Sequence, residues 1–253
     1  MECIALINQK GGVAKTTTTY NVAASKAKEK PEYKVLMIDL DPQASLTIAC
    51  GIEPNEERLE GYSTCNLFDG KTDPLDAVFS VTRSGLENLY IVPSDILLAE
   101  TEISLITKMY GAESVLRKAV NRLSQYFDYI FIDCPPQLGR LTVNALVASS
   151  KVIIPCTAEY LAYRGLKSLL QTINDVREVN ENLEVLGIIV TMYESRVNNQ
   201  RDVMELIAER CNILGTVRKS IDVRRNTVYG VPVVLALPES NTGKEYTEIA
   251  RRI

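Results

Sequence analysis

At 253 residues, with 46% apolar and 24% charged residues and a formal charge of −4, the chain has the size and balance of one large domain, spanning 1–253, with a substantial core. It contains no histidine, which excludes histidine-based zinc sites and Ser-His or Cys-His nucleophile pairs; any chemistry must rest on carboxylates, lysines, hydroxyls and a bound metal. No run approaches the roughly 18 consecutive apolar residues of a spanning helix, the amino terminus has no secretory layout, and the six cysteines form no C-x-x-C pair, so a cytoplasmic protein with reduced core thiols is expected.

Residues 3–7 read as the first strand, and Gln9-Lys10-Gly11-Gly12-Val13-Ala14-Lys15-Thr16-Thr17 follows, ahead of a helical pattern over 17–28. Strand, glycine turn and Lys-Thr at a helix start is the arrangement of a phosphate cradle. Backbone N–H groups of Gly11, Gly12, Val13, Ala14, Lys15, Thr16 and Thr17 would converge on one spot that the helix dipole makes favourable for an anion. Lys15 would reach the terminal phosphates and the Thr16 hydroxyl would ligate Mg²⁺. The match to G-x-x-x-x-G-K-[ST] is imperfect, because Gln9 and Ala14 stand where glycines are wanted. Ala14 is harmless at negative φ, whereas a left-handed conformation there would cost about 1–2 kcal/mol. Lys10 is a second lysine in the same loop. One phosphate chain rarely needs two, which leaves one of them to serve a nucleotide held by another subunit.

A second strand over 35–38 runs into Asp39 and Asp41, and residues 51–85 read as an irregular surface excursion with short helices. Strands at 89–92, 129–132, 152–154 and 186–190 alternate with helical patterns at 112–125, 141–148, 164–179 and 201–210. The strands are continuous apolar runs, as expected when helices cover both faces, and the β-α-β rhythm predicts a doubly wound, mostly parallel α/β sheet. Ligands in such sheets bind outside the carboxyl ends of the strands. Asp133 ends the fourth of these strands, so with flanking strand order Asp39, Asp41 and Asp133 would approach the same phosphate site. The competing reading of each is a helix N-cap. After Asp133, Cys134-Pro135-Pro136 either passes a phosphate shift on to residues 137–142 or is simply a stiff loop before a helix.

Between Arg196 and Arg225, the cations Arg196, Arg201, Arg210, Arg218, Lys219, Arg224 and Arg225 outnumber the acids Asp202, Glu205, Glu209 and Asp222. This local excess is either a DNA-phosphate surface or a solvated charged face.

Asn8 through Thr17, Asp39-Leu40-Asp41-Pro42-Gln43 and Ile132-Asp133-Cys134-Pro135-Pro136 together resemble the ParA/Soj family of partition ATPases, the deviant Walker A branch of the P-loop NTPases. The likeness extends through residues 141–146, Ile154-Pro155 with Glu159-Tyr160, Thr191-Met192-Tyr193 and Gly230-Val231-Pro232. The resemblance implies an ATP-dependent homodimer that hydrolyses ATP to ADP and phosphate with Mg²⁺. In that scheme Lys10 crosses to the partner's phosphates, Lys15 and Thr16 hold phosphates and Mg²⁺, and Asp41 positions the attacking water. Asp39 and Asp133 organise the magnesium shell, and Arg196, Arg224 and Arg225 touch DNA without reading sequence. It also implies a ParB-type activator and a nucleoid-associated location. The chain departs from the family at Ala14, at Ala44-Ser45 and at residues 222–227. Residues 247–253 offer no useful apolar face for a membrane, and no Asn-Lys-x-Asp motif suggests a GTPase. The rival expectations are an ATPase that positions a protein cargo without DNA, and a nucleotide-state regulator that hardly hydrolyses.

Overall fold

Neighbouring residues of each apolar run go to opposite faces of one sheet. Cys3, Ala5, Leu36, Ile38, Ile130, Ile132, Val152 and Ile154 join one buried cluster, whereas Ile4, Leu6, Val35, Met37, Phe131 and Ile153 join the other. This double coverage is why the runs are apolar throughout instead of alternating with polar residues.

The computed structural model describes residues 1–54, 59 and 61–253, apart from the side chains of residues 198, 224 and 227. The amino-terminal half contains β1 (Glu2–Leu6), α1 (Lys15–Glu29), β2 (Val35–Asp39), α2 (Ser45–Ala49), α3 (Asn66–Asp69), β3 (Phe79–Ser80), β4 (Leu89–Val92), α4 (Leu98–Thr107) and α5 (Val115–Leu123). It continues with β5 (Tyr129–Asp133), α6 (Arg140–Ala148), β6 (Lys151–Thr157), α7 (Tyr160–Val176), β7 (Glu184–Tyr193), α8 (Asn198–Ala208), β8 (Ile213–Arg218), α9 (Ile221–Val228), α10 (Val233–Ala236) and α11 (Asn241–Arg251). The described strands form an eight-stranded sheet in the order β3-β4-β2-β5-β1-β6-β7-β8. Every pairing is parallel except that of β3 with β4. Helices α4 to α8 contribute to the first cluster, and α1, α2, α10 and α11 to the second.

Several elements differ from the pattern-based expectation. β8 lies at the sheet edge, where Leu214 and Val217 are buried but the other four residues are only partly covered or exposed, so Ile213-Leu214-Gly215-Thr216-Val217-Arg218 lacks the apolar run of a central strand. α4 escaped because its apolar residues do not form one core-facing stripe: Leu98 and Leu105 are buried while Ile103 and Ile106 are exposed. The helix expected over 112–125 is a 3-10 turn, Ala112–Ser114, followed by α5. The excursion over 51–85 is not confined to the surface: Leu67, Ala77 and Val81 are buried, although residues 55–58 and 60 lie outside the described set. α11 does carry a short apolar face, Tyr246, Ile249 and Ala250, and that face is buried in the second cluster.

Candidate nucleotide-binding site

Register brings the strand ends together. Leu6 of β1 and Asp39 of β2 both pair with Asp133 of β5, so the loop after β1 and the two acids share one edge of the sheet. That loop is pinned at both ends by side chains. Asn8 donates through Nδ2 to the Pro155 carbonyl (2.7 Å) and accepts the Lys10 N–H on Oδ1 (3.0 Å). Thr191, at the end of β7, donates its hydroxyl to the Val13 carbonyl (3.0 Å). From Gly11 to Thr17, no backbone N–H donates a hydrogen bond to a described residue; the first helical bond runs from Thr18 to Ala14. Free N–H groups at a helix start are an anion site.

Lys15 gives the cradle its charge. Its residue is only 7% exposed, and its ammonium has neither a hydrogen bond nor an ion pair with a described residue. Burial lowers the ammonium from its ordinary value, while Asp133, Cys134 and Asp41 pull the other way. A buried, unmatched cation fits a polyphosphate. Side chains would also find room at Gly11 and Gly12, where an added Cβ meets nothing within 4 Å; that space lies open to a ligand. Gly12 has φ +72, so any other residue there is strained as well.

The donors for a magnesium ion are oxygen atoms. Thr16 donates its hydroxyl to Asp133 Oδ2 (2.6 Å), and Thr19 donates to Oδ1 (3.0 Å). Among the described residues no three acids, cysteines or histidines cluster as a metal cage. Mg²⁺ does not need one, since it keeps several waters and phosphate oxygens and takes few protein ligands. Thr16 with Asp133 fits that habit.

Asp39 is the other acid expected in the magnesium shell. Its fully buried carboxylate accepts from the Thr47 N–H (2.8 Å) and the Thr47 hydroxyl (2.7 Å) on Oδ2, and from the Asp41 N–H (3.2 Å) on Oδ1. Through these bonds Asp39 positions the Asp41 turn and the start of α2, and both its oxygens are engaged, as both oxygens of Asp133 are. Burial pushes Asp39 up to about 7, with the charge of Asp133 adding to the rise, and pushes Asp133 up to about 6. Both folded values exceed the unfolded carboxylate value. The stability these groups contribute is therefore full below about pH 4 and declines as pH rises through about 6 to 7. A cation at the site would offset that decline.

Asp41 is half-buried, and its Oδ1 accepts the Gln43 N–H (3.0 Å), which leaves Oδ2 free of hydrogen bonds to described residues. Lys10 is also half-exposed, and its ammonium pairs with Glu159 at the start of α7. Asn8, Glu159 and Thr191 carry no individual role in the sequence-based expectation. Each is a polar residue just past a strand or at its end, and that placement was the available signal.

Ala14 has φ 62 and ψ 33, and Ala44 has φ 53 and ψ 33, both left-handed; each sits at the N-cap of a helix, α1 and α2 respectively. The harmless case for Ala14 does not hold. A left-handed alanine costs about 1–2 kcal/mol, and glycine there forfeits about 0.5–1 kcal/mol of unfolded-state entropy advantage. Ala14→Gly and Ala44→Gly should therefore each stabilise the unliganded protein by about 0.5–1 kcal/mol in urea denaturation. Destabilisation by either variant would contradict this backbone account.

Of the DNA candidates, Arg196 is exposed just after β7 and Arg225 is exposed on α9, after β8; the Arg224 side chain lies outside the described residues. β7 and β8 are neighbours, so these segments follow adjacent strand ends. The local positive excess is smaller than the sequence count, because Arg218 pairs with Glu245 (3.2 Å) and Lys219 with Glu194 (3.0 Å). No described helix is long and apolar enough to cross a membrane.

A family described as an AAA domain matches residues 1–185. The chain is similar to the sporulation initiation inhibitor protein Soj of Bacillus subtilis, at 36% identity over 254 residues, covering 99% of this chain and 97% of Soj. Among solved structures, cobyrinic acid a,c-diamide synthase of Mycobacterium smegmatis with a bound ATP analogue and magnesium gives a TM-score of 0.81 at 32% identity, covering 99% of this chain and 93% of that one. A putative plasmid partition protein of Borrelia burgdorferi bound to AMPPNP gives a TM-score of 0.81 at 26% identity, covering 99% of this chain and 97% of that one.

Proposed function

The chain belongs to the ParA/Soj family of partition ATPases, and on that premise we propose that it pairs on binding ATP, holds DNA without reading its sequence, and lets go after hydrolysis. It binds ATP with Mg²⁺, in keeping with the nucleotide-bound relatives and with the open cradle around Lys15. The observation that carries the rest is the division of labour between two lysines on one loop. Lys15 is buried against its own cradle, whereas Lys10 is half-exposed and, among the described residues, its ammonium is held only by a surface ion pair to Glu159. Such a pair is worth about 0–1 kcal/mol, so a partner's triphosphate can displace it readily.

Mg²⁺, held by Thr16 and Asp133, would neutralise phosphate charge. The protein's share is positioning. N–H groups from Gly11 to Thr17 hold phosphate oxygens, Lys15 supplies the matching charge, and Thr16 with Asp133 supplies the metal's protein oxygens. Asp41 directs its free oxygen to the attacking water, held in place by Asp39 and Gln43. Hydrolysis is slow and is accelerated by a ParB-type protein already on DNA, and the dimer works in the cytoplasm on the nucleoid.

Arg196, Arg224 and Arg225 bind DNA phosphates, and pairing doubles their number, which couples nucleotide state to DNA affinity. Wild type should therefore stay on immobilised duplex DNA in ATP and wash off in ADP, and Arg196→Glu should lose at least about tenfold in retention, a few phosphate contacts' worth. Absence of wild-type retention even at low salt would end the DNA-binding reading.

A further inference from the structure

The cations of α7 lie more than twenty residues before the basic 196–225 segment, so a sequence window does not join them to it. In the fold, Tyr163, Arg164 and Lys167 of α7 meet Arg210, which follows α8, around an open notch of about 270 Å³. Arg210 is the member held by a neighbouring side chain. Its Nε donates to the Tyr163 hydroxyl (2.8 Å), and its guanidinium lies 5.3 Å from the centre of the Tyr163 ring. That ring in turn leans on Tyr160, with centroids 6.3 Å apart. Arg164 and Lys167 are exposed and three residues apart on one helix, hence on one face.

None of Arg164, Lys167 and Arg210 has an ion-pair partner among the described residues. Glu209 adjoins Arg210 in sequence but forms no ion pair with it. This contrasts with Arg218 and Lys219, both of which are matched by acids. In a chain whose formal charge is −4, three converging cations without an ion pair to a described residue are not a by-product of general basicity.

We propose that this notch grips the phosphodiester backbone of duplex DNA, as a second contact beyond the Arg196, Arg224 and Arg225 segments. The inference rests on the DNA-binding reading given above. A guanidinium fork held by an aromatic ring presents its remaining N–H groups in the plane that suits phosphate oxygens, and two exposed cations beside it add charge without base readout. The notch is open and supplies no free backbone N–H cradle, which suits one link of a polymer better than an enclosed mononucleotide. α8 separates Arg196 from Arg210, and its eleven residues span about 16 Å, roughly half a turn of duplex DNA. The two ends of one helix can therefore meet phosphates on either side of a groove.

The test uses the full chain with ATP and Mg²⁺ and a fluorescent duplex of arbitrary sequence, titrated at several salt concentrations. Arg164→Gln/Lys167→Gln should bind at least tenfold more weakly than wild type near 100 mM salt. The slope of log affinity against log salt should fall by about 0.9 per lost phosphate contact. Arg210→Lys, which keeps the charge but loses the fork, should fall between the two. ATP affinity and ATP-dependent mass should match wild type. DNA affinity and slope unchanged in the double variant, alongside weak binding by Arg196→Glu, would overturn the notch and leave the DNA reading standing. Wild type that never binds DNA would remove both. Loss of ATP-dependent pairing in the double variant would assign the notch to a second copy of this chain. Loss of binding to phosphatidylglycerol vesicles with DNA binding intact would assign it to lipid. Either result overturns the proposal.

Discussion

Lys15→Ala should weaken ATP binding by at least 100-fold, measured by calorimetry or by displacement of a fluorescent ATP analogue. The side chain is an almost fully buried cation without a partner among the described residues, beside N–H groups that also have none among them. A unit charge about 4 Å from a phosphate oxygen at an effective dielectric near 20 is worth about 4 kcal/mol, close to a thousandfold, before the cost of leaving the anion poorly matched. Lys15→Arg should not rescue, because the planar guanidinium is larger than the ammonium and cannot enter the same cradle as a point charge. Unliganded Lys15→Ala should remain folded, since no hydrogen bond or ion pair is lost. ATP affinity within threefold of wild type would show that the loop is not the phosphate site.

Asp41→Ala should lower single-turnover phosphate release by about 100-fold or more while ATP affinity changes by only a few fold. The carboxylate is not part of the N–H cradle. It stands beside it, oriented by the Asp39 contact to its own N–H and by the Gln43 N–H on one oxygen. Positioned acid–base groups contribute about 10² to 10⁴ in rate, and most of that should vanish here. Because the ATP state would then persist, ATP-dependent pairing and DNA retention should last longer in Asp41→Ala than in wild type. A release rate equal to wild type would remove Asp41 from the chemistry.

Much of this arrangement could be read from residue order alone, for identifiable reasons. The central strands announce themselves because both faces are buried, which forces apolar residues at every position, and the glycine loop follows the first of them without an intervening residue type that could continue a strand. The acids at 39, 41 and 133 are visible because they break those apolar runs. Their division of labour is not visible. Whether an aspartate faces a ligand or a neighbouring threonine depends on Thr47, eight residues downstream of Asp39 and brought back by α2. The same holds for Glu159, which reaches Lys10 only through the sheet order, and for Arg210, which reaches Tyr163 across two helices. At Ala14, alanine's own preference is for negative φ, whereas the loop, hydrogen-bonded to Asn8 and Thr191 on its way to α1, is left-handed there. Edge strand β8 and helix α4 were missed because partial exposure removes the periodic apolar signal on which pattern reading depends.

The central claim is that Lys10 leaves Glu159 to meet the triphosphate of a second copy. Light scattering after size exclusion, in Mg²⁺ with ATP or with ADP, tests it on wild type and Lys10→Ala in parallel. Wild type should double its mass in ATP alone, and Lys10→Ala should remain at the mass of one chain while still binding ATP. A doubling of mass in Lys10→Ala equal to that of wild type would contradict the account.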